Sequence, residues 1–166
     1  MKNNINIRFI IIVILVTLIT TGYFRKRYIS FLPTIPVYPD SYAEVKKVEE
    51  QISTITPSDT KFYKLTDPSI INAFLPYVNE TKEELTDIIF RPNIIILFFK
   101  YTINRPRPKQ INPQLNVLKS TTADTPAYPA GHALQAYYLS KVLSKRYPDK
   151  KEQFDNIAKR CDLVRV

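Results

Sequence analysis

Residues 93–108 read NIIILFFKYTINRPRP, and both the fold and the chemistry of the chain turn on them. Pro92 precedes an apolar run in which Ile94, Ile95, Ile96, Leu97, Phe98 and Phe99 leave no polar face. A strand is the rival for these β-branched residues, but no alternation supports it. The pattern predicts a central, buried helix over residues 93–103, too short to span a bilayer. Lys100 lies near its end, and Arg105, Pro106, Arg107 and Pro108 follow. A lysine closing a buried helix and an arginine fixed between prolines can aim two cations at one oxyanion. Lysine brings a point charge and arginine a planar fork. The plainer reading is a snorkelling lysine followed by a proline-rich spacer or PxxP-type ligand.

Downstream, residues 105–125 hold three prolines and no helical period, which predicts a long loop of the kind that carries function. Pro129, Ala130, Gly131 and His132 then open a helix over residues 133–146, with Leu134, Tyr137, Tyr138 and Val142 as its apolar stripe. Gly131 permits close backbone approach, and the first turn offers free N–H groups to an anion. A histidine there can protonate a departing oxygen; a solvent-facing histidine is the plainer alternative. Pro148 breaks the chain. Asp149 can cap a last helix in which Phe154, Ile157, Cys161 and Val164 form the apolar face and Arg165 follows.

Upstream, Thr81-Lys82-Glu83-Glu84 is a capping-box pattern that starts a helix running to about residue 90. Pro68 opens an apolar helical stretch over residues 69–78, residues 53–67 read as loop, and Val45, Val48 and Ile52 mark an amphipathic helix over residues 42–54. Residues 29–42 form a proline-rich linker. Residues 9–24, FIIIVILVTLITTGYF, carry no charge and are flanked by Arg8 and by Arg25, Lys26 and Arg27. This predicts a single N-terminal transmembrane anchor within residues 1–28, with a cleaved signal peptide as the rival and the orientation undecided.

The whole chain of 166 residues fits one domain plus a tail. Its single cysteine, Cys161, excludes an intrachain disulfide, and its single histidine, His132, excludes two-histidine metal motifs. Two glycines exclude a glycine-rich nucleotide loop. The net charge of +9 is uneven: residues 91–123 carry Arg91, Lys100, Arg105, Arg107, Lys109 and Lys119 and no acid. Such a stretch suits an anion site, a membrane-facing patch or a nucleic-acid surface, the last being the weakest because basic charge alone is unspecific.

Taken together, Lys100 with Arg107-Pro108, then Pro129-Ala130-Gly131-His132, then Arg165 in CDLVRV resemble the type-2 phosphatidic acid phosphatase and vanadium haloperoxidase superfamily. The six-residue gap after Lys100 selects Arg107 rather than Arg105. The resemblance covers about residues 84–166 and implies an all-α helical bundle. It implies that Lys100, Arg107 and Arg165 bind phosphate oxygens, that Gly131 gives a backbone N–H, and that His132 is the general acid. A further histidine attacks phosphorus in that family, and an aspartate orients it. Ala130 replaces the family's serine, and the sequence stops at Val166 before the attacking histidine.

These readings yield three parts: the anchor (1–28), the linker (29–42) and a helical phosphatase-like domain (43–166) expected to be C-terminally incomplete. The expected activity is metal-independent hydrolysis of phosphate monoesters, lipid or soluble, with little or no turnover by the chain as it stands. The alternative is a non-catalytic membrane protein that binds phosphate or anionic head groups. No cofactor and no nucleic-acid partner are expected, and the oligomeric state is open.

Overall fold

The computed structural model describes residues 10–14 and 40–165, and all of their regular structure is helical, with no strand among the described residues. The expected all-α class is therefore observed. Residues 10–14 are helical and exposed; the rest of the expected anchor, and residues 29–39 of the linker, lie outside the described residues. Among the described residues no helix is long and apolar enough to cross a membrane.

Helix α1 (Ser41–Ser53) starts at Asp40, whose carboxylate accepts from the Tyr42 N–H. Helix α2 (Pro57–Thr66) occupies what reads as loop. Its start is a reciprocal box in which Thr56 Oγ1 accepts from the Asp59 N–H and Asp59 accepts from the Thr56 N–H. Apolar periodicity misses it because only Tyr63 and Thr66 are buried. The stretch read as one helix over residues 69–78 is instead two 3-10 turns, Ile70–Ala73 and Leu75–Tyr77. Pro76 has no N–H to continue an α-helix through it.

Helix α3 (Lys82–Phe90) begins at the Thr81–Glu84 capping box, as its sequence predicts. Helix α4 (Asn93–Ile103) has the expected bounds, but it is not buried. Ile94, Ile95, Leu97, Phe98 and Phe99 are exposed, and only Ile96, Lys100 and Ile103 face inward. A run that is apolar all round indicates helix length without fixing which side is covered. A one-turn helix α5 (Pro108–Ile111) interrupts the long loop.

The core lies under α6 (Gly131–Arg146) and α7 (Lys151–Leu163), joined by a 3-10 turn, Pro148–Lys150. The buried side of α6 is Ala133, Ala136, Leu139, Ser140 and Leu143, so the expected stripe holds only in part: Tyr138 and Val142 pack against the core, while Leu134 and Tyr137 are exposed. Small residues at 133 and 136 let the backbone come close, and closeness outweighs bulk in choosing the face. From α7 come Phe154, Ala158 and Cys161, with Ile157 partly buried beside them. Asp149 lies in the 3-10 turn, and the residue preceding α7 is Lys150, without a side-chain cap. Phe154 packs against Phe74 and Tyr147 at ring-centre distances of 6.0 and 6.2 Å. Ile70, Ile71, Phe74, Leu85 and Ile88 complete this core. It fixes the start of α6 and the end of α7, the two places from which site residues project.

Candidate functional site

Helix α4 ends because Asn104 adopts a left-handed conformation (φ 49°) and donates its N–H to the Lys100 carbonyl at 2.8 Å. Asparagine tolerates that conformation better than most residues. Lys100 therefore sits on the last turn, 5% exposed, and its Nζ donates to the Pro126 carbonyl at 2.6 Å. One such bond leaves two ammonium N–H groups for a ligand. Burial, and then the Arg107 charge, lower its pKa from 10.5 to about 8.

Arg107 follows two residues after Arg105, and the two arginines diverge. Arg105 pairs with Glu44 and donates Nε to Ser41 Oγ at 3.2 Å, tying α1 to the loop. Arg107 donates Nε to the Thr125 carbonyl at 2.8 Å, while its backbone N–H is held by Gln110 Oε1 at 2.7 Å. Both arginines line the cleft described below; Arg105 is engaged by Glu44 there, while Arg107 is held by carbonyl and amide oxygens.

Gly131 opens α6 directly against the Lys100 side chain: a methyl group there would lie 3.5 Å from Lys100 Cε and 3.6 Å from Ile96 Cγ2. Both are ordinary contacts, so the fold itself does not demand glycine. His132 Nε2 lies 3.0 Å from the Asp67 carbonyl oxygen. A carbonyl only accepts, so this nitrogen carries the hydrogen. Burial, followed by the Arg165 charge, pulls the imidazole pKa from 6.5 to about 4.

Arg165 comes from the far end of α7. Its Nη1 donates to Asp67 Oδ1 at 2.8 Å, its Nη2 to Thr66 Oγ1 at 3.3 Å, and its guanidinium carbon lies 4.8 Å from the Tyr63 ring centre. The side chain is 10% exposed, and among the described residues its buried Nε has no hydrogen-bond partner.

Lys100, Arg107, Gly131, His132 and Arg165 all line one cleft of about 600 Å³. Arg105, Lys109 and Lys119 add further cations and Glu44 an acid, and Val45, Val48, Ile111, Val117 and Leu118 supply an apolar wall. Every residue singled out in the sequence as a candidate is therefore brought to the same place. Among the described residues, no group of three or more His, Cys, Asp or Glu side chains is placed to hold a metal ion.

Comparison with protein-family models, with curated proteins and with solved structures gave no match.

The principal site residue that sequence reasoning missed is Asp67. It is 4% exposed and accepts from Ser120 Oγ at 2.6 Å, the Thr121 N–H at 2.7 Å, Thr121 Oγ1 at 3.0 Å and Arg165 Nη1 at 2.8 Å. Burial alone would raise its pKa, but these four donors outweigh it and hold the carboxyl down at about 2. Tyr63 and Thr66, on α2, join it beneath Arg165. The only sequence signal for this wall is the Thr56–Asp59 box that starts α2.

Proposed function

We propose that the cleft binds the phosphate of a phosphomonoester, and that the chain is a member of the type-2 phosphatidic acid phosphatase and vanadium haloperoxidase superfamily. The observation that carries this reading is the convergence of Lys100, Arg107, His132 and Arg165 on one cleft, beside the first turn of α6. A tetrahedral dianion needs several cations around it in a partly dry site, where each is worth more than in water. Lys100, Arg107 and Arg165 hold the non-bridging oxygens, and the Gly131 N–H adds a donor. Once the family's attacking histidine is supplied and bonds to phosphorus, His132 gives its proton to the oxygen of the departing alcohol as its P–O bond breaks. At neutral pH the empty site keeps His132 uncharged; a bound dianion offsets the Arg165 and Lys100 charges and raises its proton affinity. The apolar flank of residues 9–24 is read as a membrane tether, which makes lipid and soluble esters alike accessible substrates.

The attacking histidine of the family has no counterpart among the 166 residues, since His132 is the only one. The second reading is a membrane protein that holds phosphate or anionic head groups without cleaving them. Hydrolysis of a generic phosphomonoester separates the two. The chain as given should show little or no turnover, and a version extended after Val166 by a Gly-x-His-x-x-x-Asp segment should gain it. Turnover by the short chain contradicts the assigned nucleophile. Inorganic phosphate binding with no turnover in the extended chain supports the binding-only reading.

A further inference from the structure

Arg165 stands out within the cluster because its charge is not presented freely. A guanidinium two residues from the end of α7 has no secondary structure of its own to aim it. It is aimed instead by a carboxylate from another part of the chain. Asp67 follows α2, is almost wholly buried, and ties Arg165 to the loop at Ser120 and Thr121. The same residue's carbonyl accepts from His132 Nε2. One residue therefore touches the phosphate-facing arginine, the acid, and the loop that closes the cleft between Lys119 and Thr125.

We infer that Asp67 is the positioning residue of this site: its carboxylate sets the Arg165 guanidinium, and its carbonyl selects which His132 nitrogen is left for the substrate. The inference rests on the oxyanion reading above. With Nε2–H donated to the carbonyl, Nδ1 is the nitrogen that takes up and releases the catalytic proton. In a chain extended by the attacking histidine, that histidine bonds to phosphorus as the P–O bond to the alcohol breaks, the Nδ1 proton passes to the alcohol oxygen, and the imidazole stays tethered through Nε2–H. The carboxylate also explains a cost the site carries. A buried anion beside an oxyanion pocket repels the ligand, and is tolerable only if holding the arginine gains more than that repulsion loses.

The opposed signs supply the test. If Asp67 acted only through its charge, Asp67→Asn would relieve repulsion and tighten sulfate binding. Acting as a positioning residue, it should weaken sulfate binding by roughly tenfold, the scale on which supporting contacts tune a ligand site. In an Arg165→Met background the same change should no longer weaken sulfate binding, because the guanidinium it aims is gone and only the repulsion is left to relieve. Sulfate keeps its charge over the working pH range, and calorimetry reads the affinities. Unchanged or tighter binding in Asp67→Asn, or an undiminished effect in the Arg165→Met background, overturns the inference. Should Asn at 67 prevent folding, Ser120→Ala removes one donor to the carboxylate and carries the same cycle with a smaller expected loss. The single histidine makes its ring nitrogens unambiguous in a ¹⁵N spectrum, which should show the Nε2–H tautomer; an Nδ1–H tautomer sinks the second half. If the unaltered chain binds no sulfate, the oxyanion reading fails. The positioning claim is then judged by the Arg165 Nε–H resonance, and its persistence unshifted in Asp67→Asn overturns that claim separately.

Discussion

The two walls of the cleft are built to different standards. One wall hangs from the α6–α7 pair: Gly131 and His132 at the head of α6, Arg165 past the foot of α7, with Asp67 beneath them. Behind it Leu139, Leu143, Phe154, Ala158 and Cys161 are fully buried. The other wall is α4 and the loop after it, carrying Lys100 and Arg107. Its helix keeps only Ile96, Lys100 and Ile103 inside and leaves five large apolar residues outside. Its helix is tied by polar contacts such as Gln135 to Asn93 at 2.7 Å and Lys100 to the Pro126 carbonyl, and its loop by those of Arg105 and Arg107 described above. The difference teaches that hydrogen bonds aim the charges on both walls, but only one wall has a packed core behind it.

The largest expected effect breaks the packed wall. Phe154→Ala removes a fully buried ring and should cost about 3–5 kcal/mol of stability, read as the urea midpoint. Phe98→Ser, on the exposed side of α4, should move that midpoint by no more than about 0.5 kcal/mol. Equal losses would erase the distinction between the walls.

A smaller effect sharpens it. Lys100→Met removes a buried charge but leaves the buried Pro126 carbonyl without its donor, so the two effects oppose. Stability should change by no more than about 1 kcal/mol while phosphate affinity falls about tenfold. Thermal unfolding and calorimetry on the same sample check both quantities. Loss of stability together with loss of affinity would mean that the amine holds α4 in place.

The smallest effects are with pH. The folded state holds the Lys100 pKa at about 8, so its cation is lost, and sulfate affinity declines, as pH rises through that value. His132 works in the opposite range. Its folded pKa of about 4 lies below the ordinary 6.5, so between these values the unfolded chain binds more protons. Stability must therefore fall as pH drops from 6.5 towards 4, and His132→Gln should flatten that limb of a denaturation series. An unaltered limb in the variant would assign it elsewhere.

Much of this arrangement is legible in the residues alone. The bounds of α4 follow from Pro92 before it and Asn104 after it, and the start of α3 from its capping box. What stays hidden is tertiary. Asp67 resembles any acid beside a proline until residues 120, 121 and 165 arrive from elsewhere in the chain. The buried face of α6 is hidden because alanines, not tyrosines, win the close contact. Helix α2 escapes because a polar segment with two buried residues has no apolar rhythm to detect.

The greasy outer flank of α4, with Phe90 next to it at 65% exposure, sits on a particle whose formal charge is +9. In dilute salt, like-charged copies repel over tens of ångströms and that flank stays apart from its neighbours. Added salt shortens the reach of the repulsion to a few ångströms and leaves the oily strip unguarded, so ionic strength governs the colloidal behaviour of this chain.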